Sequence, residues 1–531
     1  MQVPENRPWF KFWPEGLPHH LDYPEVPLYD FLVNSARKYP NNIAFGNREG
    51  YNLTYQELDT QTNKLACALS RLGMVKGDRA LVFLPNSPEF VVAYYGILKA
   101  GGTVVPTNPL YKAGELNHHI SDSGAVVIIT DRERYPSVEA IRDRTGLHIV
   151  VMTDAQDIAG TVSFSEIMAH YPPKPLQLNI RPKEDAAAIV YTGGTTGLPK
   201  GVMLTHYNLV ANAIQNTVWL DWSSQDIIIG LLPFSHSWGA STCINSVIYC
   251  GSRVIVFPRF NAQELLETIE KEKATLLYSA ASLFTSLVSN PLISRYDLSS
   301  LKYVKAGAMP IPPEIKRRWE QVTGVKMILG YGLSEASPET HNCPPDRVKP
   351  GTIGIPIFDT DARIMDQATG TIELPQGELG ELVIRGPQVM KEYLNQPEDS
   401  KEALRDGWLY TGDLAIIDEE GYFCIVDRKK ETIIYNGYTI APAEIEAVIY
   451  EHPGVKECAV VGKTDAVCGE IPKAFVVLKE ENSVSKEELI EFCAQKLSPY
   501  KKIREVAFID EVPKTNVGKV LRRLLKESEE V

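Results

Sequence analysis

The chain has 531 residues, 44% of them hydrophobic and 23% charged, which calls for more than one globular domain around a large core and excludes a disordered polymer. A formal net charge of -13 leaves no basic footprint for nucleic acid, so anionic partners must be met at local positive sites. The 8 cysteines form no CxxC pair, Met1 to Trp13 lacks an apolar signal core, and no apolar stretch reaches the ~18 residues of a membrane span, so a cytoplasmic protein with reduced thiols and no integral membrane segment is expected.

From the N-terminus, short β-rich runs alternate with amphipathic helices. Thr54 and Glu57 make a capping box ahead of Leu58, Leu65, Leu69 and Leu72, and Gly73 stands where that helix stops. Ser87-Pro88-Glu89 opens another, with Phe90, Val91, Tyr94, Ile97 and Leu98 on one face. Residues 82–84, 125–130, 149–152, 254–257, 276–279 and 325–329 read as strands. The pattern is α/β with a mainly parallel sheet.

Behind the apolar run 186–190 comes Tyr191-Thr192-Gly193-Gly194-Thr195-Thr196-Gly197-Leu198-Pro199-Lys200-Gly201. Glycines let backbone N–H groups approach an anion, threonines add donors, and Lys200 adds charge, so the run reads as a phosphate cradle and points to ATP. It is not a Walker A loop, because Lys200 lies between Pro199 and Gly201 rather than between Gly and Ser/Thr. Strand, cradle, then helix is the expected order.

Further along, His236 follows an apolar run and precedes Ser237, Trp238, Gly239 and Ala240. Gly330-Tyr331-Gly332-Leu333-Ser334-Glu335 offers a ring to stack on a base, a hydroxyl for phosphate and a carboxylate suited to Mg²⁺. Asp413, in Tyr410-Thr411-Gly412-Asp413, has the acceptor geometry for ribose hydroxyls. From about residue 351 to 427 glycine-punctuated strands indicate a β-rich subdomain; the charged cluster Asp427-Arg428-Lys429-Lys430-Glu431 follows, and then about a hundred residues with their own strands and a Ser485–Glu488 capping box. Pro513-Lys514-Thr515-Asn516-Val517-Gly518-Lys519 closes the series.

In this order and spacing the segments resemble the acyl-adenylate-forming superfamily, which contains acyl-CoA synthetases, adenylation domains of peptide synthetases and beetle luciferases. The resemblance runs from Leu53-Thr54-Tyr55 to Lys519. It implies an N-terminal AMP-binding domain over 1–427, a hinge at 428–430 and a small mobile C-terminal α+β domain over 431–531. It also implies that Thr192, Gly193, Gly194, Thr195, Thr196, Gly197 and Lys200 hold ATP phosphates, and that Gly307, Ala308, Met309, Gly330, Tyr331 and Gly332 enclose adenine. By the same resemblance Ser334 is expected to touch phosphate, Glu335 to bind Mg²⁺, and Asp413 and Arg428 to hold the ribose. The resemblance further implies that Lys519 bridges the reacting carboxylate and the α-phosphate, that Lys430 is the pivot, and that Gly437 borders the coenzyme A tunnel.

For the acid, the resemblance places His236 at the pocket mouth and Ser237, Trp238, Ala240 and Gly307 along its wall. These groups are neutral, which disfavours an amino-acid substrate. The overall character is most similar to prokaryotic fatty acyl-CoA ligases, which implies a medium- to long-chain fatty acid; a 4-coumarate-type aryl-CoA ligase and an adenylating enzyme that loads a carrier protein in trans are the alternatives. Three positions depart from the family pattern: Gly193 lacks a common hydroxyl, Ser334 stands where threonine is commoner, and Ile434 stands where several relatives carry lysine. Assembly as a homodimer is compatible with the sequence.

Overall fold

The computed structural model describes residues 3–155, 157–192, 199–308, 311, 313–429, 431–435, 438–465, 468–480, 484–515 and 520–527. They belong to two compact units, one with its described residues within 1–193, 199–361 and 385–409, the other within 362–384 and 410–531.

Two sheets organise the first unit. In the nine-stranded sheet, Ile43–Gly46, Arg253–Val256, Ile227–Gly230, Leu276–Ala280, Tyr303–Gly307 and Met327–Gly332 run parallel in that spatial order, with short antiparallel strands at either edge. In the eight-stranded sheet, Val162–Ser163, Ile149–Met152, Val127–Thr130, Arg79–Phe83, Thr103–Pro106 and Ala186–Thr192 are parallel. Five of the described parallel strands, Thr103–Pro106, Val127–Thr130, Ile149–Met152, Leu276–Ala280 and Tyr303–Gly307, are buried along their whole length, as parallel strands covered on both faces must be.

The helices obey their local signals. Thr54 caps Tyr55–Arg71 through a full capping box with Glu57, and Ser87 caps Pro88–Lys99 by accepting the Phe90 N–H. These two helices pack on each other, and Leu58, Leu65 and Leu69 of one and Phe90, Tyr94, Ile97 and Leu98 of the other are buried.

One expected order is corrected. The phosphate cradle is followed by a second strand, Lys200–Thr205, which pairs antiparallel with Ala186–Thr192, and only then by helix His206–Trp219. The helix starts where Thr205 and Asn208 supply a capping box; between the cradle and that cap, Val202, Leu204 and Thr205 are buried in the sheet. The cradle is therefore a hairpin connection, and no helix N-terminus stands at its end.

In the second unit, Trp408–Ile417 pairs antiparallel with Phe423–Arg428, and a separate sheet contains Ile433–Tyr435, Tyr438–Ile440, Val455–Asp465, Gly469–Leu478 and Glu505–Phe508. Its core joins Ile445 and Ile449 of helix Pro442–Tyr450 to Val460, Val476 and Leu489. The Ser485–Glu488 capping box is present. Large α/β layers plus a smaller α+β unit agree with the fold class expected from the sequence.

Candidate active site

The parallel strands of the nine-stranded sheet end on the residues singled out from the sequence. Ile227–Gly230 leads into His236, Tyr303–Gly307 ends on Gly307, and Met327–Gly332 contains Gly330, Tyr331 and Gly332. The crevice beyond the carboxyl ends of such strands is where α/β sheets bind ligands.

Geometry joins the segment expected to line the acid pocket to the segment expected to meet nucleotide. The hydroxyls of Ser237 and Ser334 are 2.9 Å apart. His236 caps a short helix, its Nδ1 accepting the Trp238 N–H at 3.2 Å, which requires that nitrogen to be unprotonated. Loss of hydration pushes the imidazole down to about 4, so it is neutral at physiological pH. The helix then passes through a π-helical stretch, Ala240–Asn245, before resuming at Ser246–Cys250. Ser237, Trp238 and Ala240 are buried, and a Cβ on Gly307 would lie 3.2 Å from the Trp238 ring, so a hydrogen at this position keeps the wall open.

Tyr331 is half-buried and meets His341 edge-to-face at 5.8 Å. Gly330 is crowded: a Cβ there would come within 2.6 Å of Asn342 Oδ1, 2.7 Å of Glu339 Oε1 and 2.8 Å of Lys305 Cε. Beneath it the buried ion pair of Lys305 and Glu339 closes at 2.8 Å. Burial draws the lysine down and the carboxylate up, and each is held charged only by the other. Ala308, next to Gly307, has φ +65°, an uncommon conformation for a residue with a Cβ.

Glu335 is fixed from behind. The Met390 N–H donates to its backbone carbonyl at 2.7 Å, and the Tyr393 hydroxyl donates to its Oε1 at 2.8 Å. The Lys200 ammonium lies 5.4 Å from the centre of the same Tyr393 ring and 2.7 Å from Asp399. Thr192 faces Lys200 as its cross-strand partner. A lone carboxylate suits Mg²⁺, which takes one or two carboxylates plus substrate phosphates; the described residues contain no cluster of three acidic, His or Cys side chains that would make an all-protein metal cage.

In the second unit Asp413 and Arg428 are cross-strand partners, joined at 2.8 Å between Oδ1 and Nε. Asp413 is buried and Arg428 partly exposed. Gly193, Gly194, Thr195, Thr196, Gly197, Met309, Lys430, Gly437 and Lys519 lie outside the described residues. Sequence reasoning missed Tyr393, Asp399, Lys305 and Glu339, which stand in no recognisable motif and reach their partners only through the fold.

Residues 32–394 match the family described as "AMP-binding enzyme", and 444–519 match "AMP-binding enzyme C-terminal domain". This chain belongs to the AMP-binding enzyme family. It is 40% identical to the long-chain-fatty-acid–CoA ligase of Bacillus subtilis (strain 168), over 99% of this chain and 98% of that one. It is 33% identical to 4-coumarate-CoA ligase 1 of Narcissus pseudonarcissus, over 96% and 94%. Among solved structures, ATP-bound MatB from Rhodopseudomonas palustris is similar with a TM-score of 0.88 at 29% identity, covering 95% of this chain and 99% of that one.

Proposed function

We propose that this chain is an ATP-dependent, AMP-forming acyl-CoA synthetase that adenylates a medium- to long-chain fatty acid and passes the acyl group to coenzyme A. The observation that carries the reading is the 2.9 Å contact of Ser237 with Ser334, which ties the neutral Ser237-Trp238 segment that we assign to the acid to a segment bearing the hydroxyl and carboxylate suited to nucleotide phosphate. The long-chain-fatty-acid–CoA ligase relative, at 40% identity, favours a fatty acid over an aryl acid.

The chemistry follows from the residue types. A carboxylate is a poor electrophile, so its oxygen first attacks the α-phosphorus of ATP, expelling pyrophosphate; the coenzyme A thiol then attacks the acyl carbon and expels AMP. His236, neutral, meets the acid's carboxylate at the pocket mouth without forming a salt that would trap it, and Trp238 lines the apolar path beyond. Ser334 donates to phosphate, Thr192 and Lys200 grip the departing pyrophosphate, and Tyr331 stacks on adenine. Mg²⁺, when bound, neutralises triphosphate charge, and Glu335 is the residue that would hold it. We assign the ribose to Asp413 and Arg428, and retain Lys519, Lys430 and Gly437 as the bridging lysine, pivot and tunnel residue on the motif alone. Among the described residues no helix is long and apolar enough to cross a membrane. We assign the protein to a reducing compartment, the cytoplasm; no disulfide joins the cysteines of the described residues.

The test is pyrophosphate release with ATP and Mg²⁺ over a panel of fatty and aryl acids, followed by thioester formation with free coenzyme A or a phosphopantetheinylated carrier. Failure to release pyrophosphate with every acid tested would sink the enzyme reading, and preference for aryl acids or for the carrier would select the corresponding alternative. Lys519→Ala is expected to abolish adenylation while sparing thioester formation from supplied acyl-AMP.

A further inference from the structure

Helix Ala113–Ser123 grips both ends of the phosphate hairpin. At the downstream end, His118 Nε2 lies 3.1 Å from the carbonyl oxygen of Pro199, which can only accept, so this nitrogen donates. At the upstream end, the Tyr191 hydroxyl donates to Asp122 Oδ2 at 2.7 Å. His118 and Asp122 are one turn apart and share a helix face. Beside them His119 stacks on the Tyr191 ring, with centroids 4.0 Å apart and planes 30° apart.

The same helix reaches the hairpin's other neighbour. Asn395 Nδ2 donates to the Asp122 carbonyl at 2.8 Å, and the adjacent Leu394 N–H donates to the Gly201 carbonyl at 2.7 Å. Tyr191 and Gly201 are cross-strand partners, as are Thr192 and Lys200 one step nearer the turn. The stem is thus tied at Tyr191, Pro199 and Gly201, immediately around the two described residues that face phosphate. The helix packs through buried Leu116 and Ile120, and towards the hairpin it adds directional donors and acceptors that packing alone does not require.

We propose that His118 and Asp122 are positioning residues for adenylation: they hold the hairpin stem so that Thr192 and Lys200 meet the ATP phosphates already oriented. This rests on the reading of that hairpin as the phosphate-holding element. Neither residue touches substrate. Their effect is preorganisation, since a stem that must be ordered on binding loses part of the binding free energy to that ordering.

The experiment compares Lys200→Ala, His118→Ala, His118→Gln and Tyr191→Phe in acid-dependent ATP–pyrophosphate exchange and in thioester formation from supplied acyl-AMP. Lys200→Ala is expected to lower kcat/KM for ATP strongly. His118→Ala and Tyr191→Phe each lower it about fivefold, as loss of one hydrogen bond implies, with thioester formation unchanged. His118→Gln, which restores a donor, recovers most of the loss. Unchanged exchange in His118→Ala and Tyr191→Phe alongside a defective Lys200→Ala overturns the anchoring role alone. A normal Lys200→Ala overturns the phosphate-hairpin reading and the anchoring role with it. Equal losses in both half-reactions mark the helix as merely structural. Should His118→Ala fail to fold, Tyr191→Phe, which removes one oxygen atom, carries the same comparison.

Discussion

The hydroxyl of Tyr393 donates to Oε1 of Glu335 at 2.8 Å, across 58 residues of sequence. The ring of Tyr393 also lies beneath the Lys200 ammonium, so one side chain sets the position of both the carboxylate assigned to Mg²⁺ and the lysine assigned to phosphate.

Tyr393→Phe keeps the ring under Lys200 and removes only the bond to Glu335. A hydrogen bond to a charged group contributes about 1.5–3 kcal/mol, so kcat/KM for ATP should fall roughly tenfold or more, with a rise in the Mg²⁺ concentration needed for half-maximal rate. Titrating pyrophosphate release against Mg²⁺ reads both, and an unchanged Mg²⁺ curve would detach Tyr393 from the metal.

Gly307→Val should shorten the range of accepted acids. The first added carbon already lies 3.2 Å from the Trp238 ring, and overpacking such a wall costs about 1–3 kcal/mol. Turnover of long-chain acids should drop first, and a uniform loss over all chain lengths would place the wall elsewhere.

Acid should destabilise the first unit through its histidines. His206 is pushed down to about 4 and His341 to about 3 by burial, while the unfolded chain keeps the ordinary 6.5. Between these values the unfolded state binds the extra protons, so stability is lost as pH falls from about 6.5 towards 4 and is flat, for these groups, above it. His206 Nδ1 accepts the Leu28 N–H at 3.0 Å, and His206→Asn keeps an acceptor there without the titration. By pH 5 the variant should be spared about 2 kcal/mol of the acid loss, at about 1.4 kcal/mol per pH unit, in melts from pH 8 to 5. Parallel melting curves for the two proteins would refute it.

Removing one member of the Lys305–Glu339 pair leaves an uncompensated buried charge, so Lys305→Met or Glu339→Met alone should cost about 3–5 kcal/mol. The double variant should cost less than either. Chemical denaturation of all four proteins measures the coupling, and additive losses would mean that the two charges do not stabilise each other.

Local signals carried much of the fold. Thr54–Glu57 and Ser485–Glu488 cap the helices their spacing predicts, and Ile149–Met152 is the strand its apolar run predicts, because each depends on neighbours within a few residues. The strand Lys200–Thr205 was not legible: it begins Lys-Gly, and its buried positions do not alternate cleanly, since it lies between two other strands. Within the site, His236, Ser334 and Glu335 stood in motifs, whereas the bonds of Tyr393 to Glu335 and of His118 to Pro199 join segments far apart in sequence. No spacing rule encodes such meetings.

His236, Trp238 and Gly307, which we assign to the acid, belong to segments following or ending strands of the nine-stranded sheet, while Thr192 and Lys200, which we assign to phosphate, belong to strands of the eight-stranded sheet. On that assignment, substitutions that reshape the acid pocket fall on a different structural platform from those that hold pyrophosphate as it leaves. Such an arrangement lets substrate range drift over evolutionary time while the phosphate chemistry stays constant, and it makes the π-helical stretch Ala240–Asn245 a natural starting point for redirecting the enzyme to new acids.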